Sequence, residues 1–214
     1  LSPERGKFIA LEGGEGAGKS TQARLLTDAL RSLGLDVVLT REPGGTAGAE
    51  AIRAILLGLD GDGWLPRAEA LLFAAARSDH VERLIVPALA RGKWVICDRY
   101  LDSSRAYQGG GCGLSDADIL QLHDIGSDGL LPDLTLLIEV LPAAAAARLA
   151  HRDGDDSDRI GGRDAAYHER VAQAFAAFAR QEPARFARID SNGSRQATQR
   201  QIMAAIIPLL PQMA

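Results

Sequence analysis

The chain has 214 residues, enough for one sizeable α/β domain or a domain with a small insertion. Apolar residues make up 46% and charged residues 24%, an ordinary globular balance, and the net charge of −4 leaves no electrostatic footprint for a nucleic-acid backbone. No apolar run approaches the ~18 residues of a membrane span and nothing at the start resembles a signal sequence, so neither nucleic acid nor membrane is an expected partner and cytoplasm is the expected compartment.

The first element is a short apolar strand, Phe8–Leu11, followed by GGEGAGKST, Gly13 to Thr21. Gly13-x-x-x-x-Gly18-Lys19-Ser20 has the P-loop spacing. Glycines let backbone N–H groups turn toward an anion, and the helix that follows adds its positive end. Gly13, Gly14, Glu15, Gly16, Ala17, Gly18, Lys19, Ser20 and Thr21 are therefore the candidate nucleotide-phosphate cradle. Lys19 is one of only three lysines in the chain, placed where a compact charge can reach the β/γ phosphates. Ser20 is a candidate Mg²⁺ ligand. The amphipathic helix runs Lys19–Leu33, with Gly34 as its stop. An acid inside an anion-binding loop, Glu15, is the anomaly.

A strand at Val37–Thr40 leads into TREPGG, by chemistry alone a turn. Helices are expected at Ala49–Leu57 and Arg67–Arg91, the second kinked at Pro87. Phe73 and Arg77 share a face of that helix. They could stack on and hydrogen-bond a nucleobase, although a core Phe and a snorkelling Arg is the simpler reading. Trp94–Cys97 is a strand ending in Asp98, positioned to join Ser20 at Mg²⁺, with Arg99 suited to a phosphate; a capping Asp and a surface Arg is the simpler reading of the pair taken alone. DSSRAYQGGG then supplies Ser103, Ser104, Tyr107 and Gln108 beside what reads as a flexible glycine run, suited to a small polar ligand.

Ser115–Ile125 is the next helix, Leu134–Val140 the next strand and Ala143–Arg152 the next helix. His151 to Asp164, HRDGDDSDRIGGRD, is nearly devoid of apolar side chains and reads as a surface loop. Asp164–Gln181 is helical, Phe186–Ile189 a strand and Arg195–Leu209 a helix. Strands alternating with helices predict a parallel sheet with helices on both faces. Cys97 is expected in the core and Cys112 in a loop.

Taken together, EGGEGAGKST, TREPGGT, LLFAAAR…HVE, CDRYLDSSRAYQGGG and LPDLTLLIEV, in that order, resemble the bacterial thymidylate kinases from about Lys7 to Val171. The resemblance implies a nucleoside-monophosphate-kinase core: a five-stranded parallel sheet flanked by helices, a mobile lid at about 151–164, and a homodimer. The implied reaction is ATP + dTMP to ADP + dTDP with Mg²⁺, a step toward dTTP. Phe73 would stack on thymine and Arg77 would bond its edge, with Ser104 and Gln108 near the base. Arg99 would clamp the acceptor phosphate, Tyr107 would lie by the sugar, Asp98 would help place Mg²⁺, and Arg41, Glu42 and Pro43 would line the pocket. Glu15 would face the acceptor rather than ATP. With no basic residue inside the loop apart from Lys19, the catalytic arginine would come from the lid, Arg152, supported by Arg148 and Arg159.

The lid departs from the family pattern. Gly161 and Gly162 follow Asp158-Arg159-Ile160 where Glu is frequent, Tyr167 and Ala172 replace the usual Phe and second Arg, and Asp153, Asp155, Asp156 and Asp158 make it acidic. It is therefore expected to order only when both nucleotides are bound. Two rival readings remain: a P-loop kinase for another nucleoside or nucleotide, and a slow nucleotide-dependent switch.

Overall fold

The computed structural model describes residues 5–58, 63–153 and 162–211, with the side chains of 151–153 outside that description. The sheet follows from its strands. All five residues of β1 (Phe8–Glu12) are buried, the pattern of a strand covered on both faces. β2 (Val37–Arg41), β3 (Trp94–Asp98), β4 (Leu134–Glu139) and β5 (Phe186–Asp190) complete a sheet in the order β2-β3-β1-β4-β5. Every pairing is parallel, with Ile9 opposite Ile96 on one side and Leu134 on the other.

Period-two alternation divides the core. Ile9, Leu11 and Ile96 face α1 (Lys19–Ser32) and α9 (Arg195–Ile206), packing on Leu26, Leu30, Ile202 and Ile206. Phe8, Ala10, Val95 and Cys97 face the opposite layer and pack on Ala70, Ile85, Leu101 and Ile119. Each fully buried Leu or Ile contributes about 1.5–3 kcal/mol. Cys97 is thus a core residue, as expected.

Before β3 the chain forms α2 (Ala47–Leu57), α3 (Pro66–His80) and α4 (Val86–Ala90). The expected single helix over 67–91 is therefore divided, because residues Val81–Ile85 open into a π-helical turn in which the Val86 N–H reaches back to Val81 O. Pro87 has no N–H and its ring crowds the carbonyl four residues back, and the wider turn just before it takes up that misfit. Side chains start the other helices. Thr46 caps α2, Ser115 caps α6 (Asp116–Ser127), Asp164 caps α8 (Ala165–Gln181) and Ser194 caps α9. Pro142 opens α7 (Pro142–Asp153).

One expectation is corrected. DSSRAYQGGG is not a flexible loop: it forms α5 (Leu101–Ser104) and a π-helical segment, Arg105–Gly111. Its glycines permit close packing, since a Cβ on Gly110 would stand 2.6 Å from Cβ of Ala174, and one on Gly111 2.3 Å from the Tyr167 ring. Ala106, Tyr107, Val171, Phe175 and Phe178 make that contact apolar. The same wall is pinned by charge. Asp102, wholly buried, receives both terminal nitrogens of Arg185 at 2.6 and 2.8 Å and one of Arg105 at 2.9 Å. Among the described residues no helix is long and apolar enough to cross a membrane.

Candidate active site

The carboxyl ends of β1, β2 and β3 open into one cavity of about 770 Å³. At one end lies the loop between β1 and α1. Gly16 and Gly18 have φ of 69° and 94°, values an L side chain rarely adopts, and a Cβ on Gly13 would come 2.3 Å from Ile138 O. Gly18 at the N-cap supplies no side-chain hydrogen bond, so the first N–H groups of α1 lack a side-chain cap, as an anion-binding helix end requires. Lys19 is folded over this loop, its Nζ donating to Gly13 O at 3.0 Å and Gly14 O at 2.7 Å. Burial, reinforced by the neighbouring Arg99, pushes its ammonium down to about 8.

Ser20 Oγ donates to the Asp98 carboxylate at the end of β3. Two hard oxygen donors meeting beside the phosphate loop suit Mg²⁺, which takes few protein ligands and fills its octahedron with phosphate oxygens and water. No group of three or more His, Cys, Asp or Glu that could hold a metal occurs among the described residues. Arg148 of α7 spans the back of the loop, donating to Gly16 O at 3.4 Å, Ala17 O at 3.3 Å and Ser191 O at 2.5 Å. Arg152 as a side chain, Arg159 and most of the expected lid lie outside the described residues.

At the other end the side chains come from scattered elements. Arg99 has a φ of 69°, the left-handed region, which turns the chain sharply after β3. Its guanidinium is ion-paired to Glu15, donates to Gly13 O at 3.0 Å and Ser103 Oγ at 3.2 Å, and lies 5.0 Å from the Tyr107 ring centroid. Tyr107 adds its hydroxyl to Glu15 at 3.2 Å. Burial opposes the charge on Arg99, but Glu15, Tyr107 and Asp98 more than offset it and raise its pKa. Glu15 therefore turns away from the phosphate cradle, toward Arg99.

Beyond Arg99 lies a buried polar chain. Arg77 donates through Nε to Glu42 at 2.8 Å and through Nη2 to Ser104 Oγ at 2.9 Å and Tyr100 O at 3.2 Å. The other Glu42 oxygen meets His80 Nδ1 at 2.9 Å, and His80 Nε2 meets Thr40 Oγ1 at 2.7 Å. Burial by itself would raise the Glu42 carboxyl, but Arg77 and His80 hold it below the usual carboxylate range. Glu42 lines the cavity, yet both its oxygens are already engaged, one by Arg77 and the other by His80. Gln108 donates to Glu69 at 2.9 Å. Exposed Arg41 pairs with half-buried Glu50 at 2.9 Å, and Pro43, after a cis peptide, offers its carbonyl to Arg53 at 2.9 Å. Phe73 is half-buried and belongs to no core cluster. The snorkelling-Arg, core-Phe alternative thus does not describe this pair.

Glu15, Lys19, Ser20, Arg41, Glu42, Pro43, Phe73, Arg77, Asp98, Arg99, Ser104, Tyr107 and Gln108 all line the cavity, together with Gly16, Gly18 and Thr21. A thymidylate kinase family model matches residues 11–202, from the middle of β1 into α9. The chain belongs to the thymidylate kinase family. A thymidylate kinase of Rhizorhabdus wittichii is 57% identical over 206 residues, covering 96% of this chain and 99% of that protein. One of Gluconobacter oxydans is 48% identical over 206 residues, covering 94% of each. The crystal structure of thymidylate kinase from Ehrlichia chaffeensis superposes with a TM-score of 0.76 at 33% identity, covering 94% of this chain and 99% of that one.

Several residues of this thymidylate kinase chain that shape the site escaped sequence reasoning. Arg24, Arg53 and Arg195 line the cavity. Glu12, the last residue of β1, accepts from Tyr100 N at 2.8 Å, Ser103 N at 3.1 Å and Ser103 Oγ at 2.6 Å, fixing the turn that carries Arg99. Burial and the nearby Asp102 push its carboxyl up to about 7. A lone acid closing an apolar strand was the available signal. Glu69 and His80 stand on the Phe73–Arg77 face of α3, at helical spacing from both, so the same periodicity marked them.

Proposed function

We propose that this chain transfers the γ-phosphoryl group of ATP to the phosphate of dTMP, giving ADP and dTDP. One observation carries the reading: a single cavity holds a phosphate loop at one end and, within reach, a second anion clamp backed by an aromatic and an oriented guanidinium. A nucleoside acceptor has no use for Arg99, and a nucleotide switch has no use for the second pocket.

The backbone N–H groups from Gly13 to Thr21 hold the ATP phosphates, and Lys19 exchanges its loop carbonyls for the β/γ oxygens. Arg99 binds the acceptor phosphate, Phe73 stacks on thymine, and Arg77 with Ser104 and Gln108 reads its edge. Glu15 and Tyr107 border the deoxyribose, and Arg41 and Pro43 close the pocket. Ser20 and Asp98 would hold Mg²⁺, which when bound neutralises phosphate charge. Transfer between two anions is mostly positioning and electrostatics, so no general base is required. Arg148, already against the loop, and Arg152 supply cations from the lid side, a contribution of ~10³-fold or more for a well-placed arginine.

Release of ADP from Mg·ATP against dTMP, dUMP, AMP, thymidine and no acceptor tests the reading. Turnover that requires dTMP supports it; acceptor-independent hydrolysis, or preference for thymidine or AMP, refutes it. We also read the chain as a cytoplasmic homodimer. Leu71 on α3 and Ile125 on α6, 57% and 77% exposed, support that assembly. A monomer mass in light scattering at micromolar concentration would refute it.

A further inference from the structure

Glu69 is a wholly buried carboxylate one turn before Phe73 on α3, and nothing in phosphoryl transfer calls for it. One of its oxygens accepts from Gln108 Nε2 at 2.9 Å and the other from Arg163 Nη2 at 2.7 Å. Arg163 is itself held, donating to Cys112 Sγ at 2.9 Å and lying 4.6 Å from the Tyr167 ring centroid.

A carboxylate paired with an arginine has only acceptors to offer. The Gln108 amide therefore has one arrangement at this contact, with its NH₂ group on Glu69. Its Oε1 makes no hydrogen bond with the described residues, and Gln108 lines the cavity with Phe73, Arg77 and Ser104. This end of the pocket thus combines a guanidinium donor with an amide acceptor. Thymine carries an acceptor at O4 beside a donor at N3–H, whereas cytosine carries a donor at N4 beside an acceptor at N3. A site built around one such pattern rejects the reverse, because its own polar groups are left unpaired.

We propose that Glu69 is a positioning residue for specificity: by fixing the amide of Gln108 it makes the acceptor site require a donor at N3 of the base and exclude cytosine nucleotides. The inference rests on the dTMP reading of the cavity. Arg163, just ahead of α8, is then the donor that occupies the second Glu69 oxygen.

The test is the ratio of kcat/KM for dTMP to that for dCMP. Glu69→Gln preserves shape but offers both a donor and an acceptor, so the Gln108 amide is able to turn over. The ratio is expected to fall about 10–100-fold, the worth of one paired base contact, with KM for ATP unchanged. Because that variant leaves Arg163 without its counter-charge, the double variant Glu69→Gln/Arg163→Gln is measured beside it, with the same expectation. An unchanged ratio in whichever variant folds overturns the proposal while leaving dTMP kinase activity intact. A fall accompanied by an equal rise in KM for ATP also overturns it, as general loosening. Absence of dTMP-dependent turnover in the parent chain overturns both readings together.

Discussion

The two ends of the cavity are built in opposite ways. The proposed donor end is mostly backbone, one contiguous loop whose glycines and uncapped helix start form the candidate phosphate cradle, with Lys19 and Ser20 as the added side chains. The acceptor end is nearly all side chain, drawn from β2, α3, the β3–α5 turn and the π-helical segment, and held by buried ion pairs. Backbone sites tolerate the loss of distant support, whereas side-chain sites depend on every partner behind them. The comparison can be broken or sharpened by substitution.

The largest effect is expected at the donor end. Lys19→Ala should lower kcat about 10³-fold or more while leaving the dTMP dissociation constant, measured calorimetrically without ATP, within about twofold. At the acceptor end stability and function should fail together. Glu42→Ala strands Arg77 and leaves His80 without its carboxylate, and should cost about 3–5 kcal/mol in urea unfolding. Arg99→Ala should lower kcat/KM for dTMP about 10²-fold with little change in KM for ATP; a matching rise in both would sink the division of labour. Gly110→Ala forces a methyl toward Ala174 and should cost about 1–3 kcal/mol, raising KM for dTMP more than KM for ATP.

The smallest effect concerns the joint between the ends. Glu12 has its pKa raised from 4.5 to about 7, so its share of stability is full below pH ~4.5 and is lost as pH rises toward 7. His123, packed against Tyr100, is lowered by burial and Arg77 from 6.5 to about 4, so its share is full above pH ~6.5 and is lost as pH falls. The slopes oppose each other over the overlap. Glu12→Gln should expose a stability that climbs from pH 4 to 6.5, by about 1–2 kcal/mol, against a flatter parent curve. A variant curve parallel to the parent would remove Glu12 as the titrating group.

Legibility in the sequence followed the same divide. The phosphate loop was readable because its chemistry lies in consecutive residues, and the strands because a doubly covered sheet writes apolar runs. The π-helical wall was not, since GGG reads as slack until α8 is known to lie against it, and Tyr167 is far along the chain. The Asp102–Arg185 pair joins residues separated by 83 positions and has no local signature. Phe73, Arg77 and Arg99 were ambiguous as chemistry; only the family resemblance raised them. Glu12 and Glu69 were visible as acids in apolar company.

Among the described residues eight cationic side chains line the cavity against three carboxylates, in a chain whose net charge is −4. The rest of the molecule is therefore more acidic than the whole, so the expected field is positive in the cavity proposed for the nucleotides and negative outside it. Such a field repels polyanions from most of the surface and focuses small ones into the cleft, raising encounter rates. It reaches only about a Debye length, ~8 Å at physiological ionic strength, so capture should slow with added salt even where the chemical step does not.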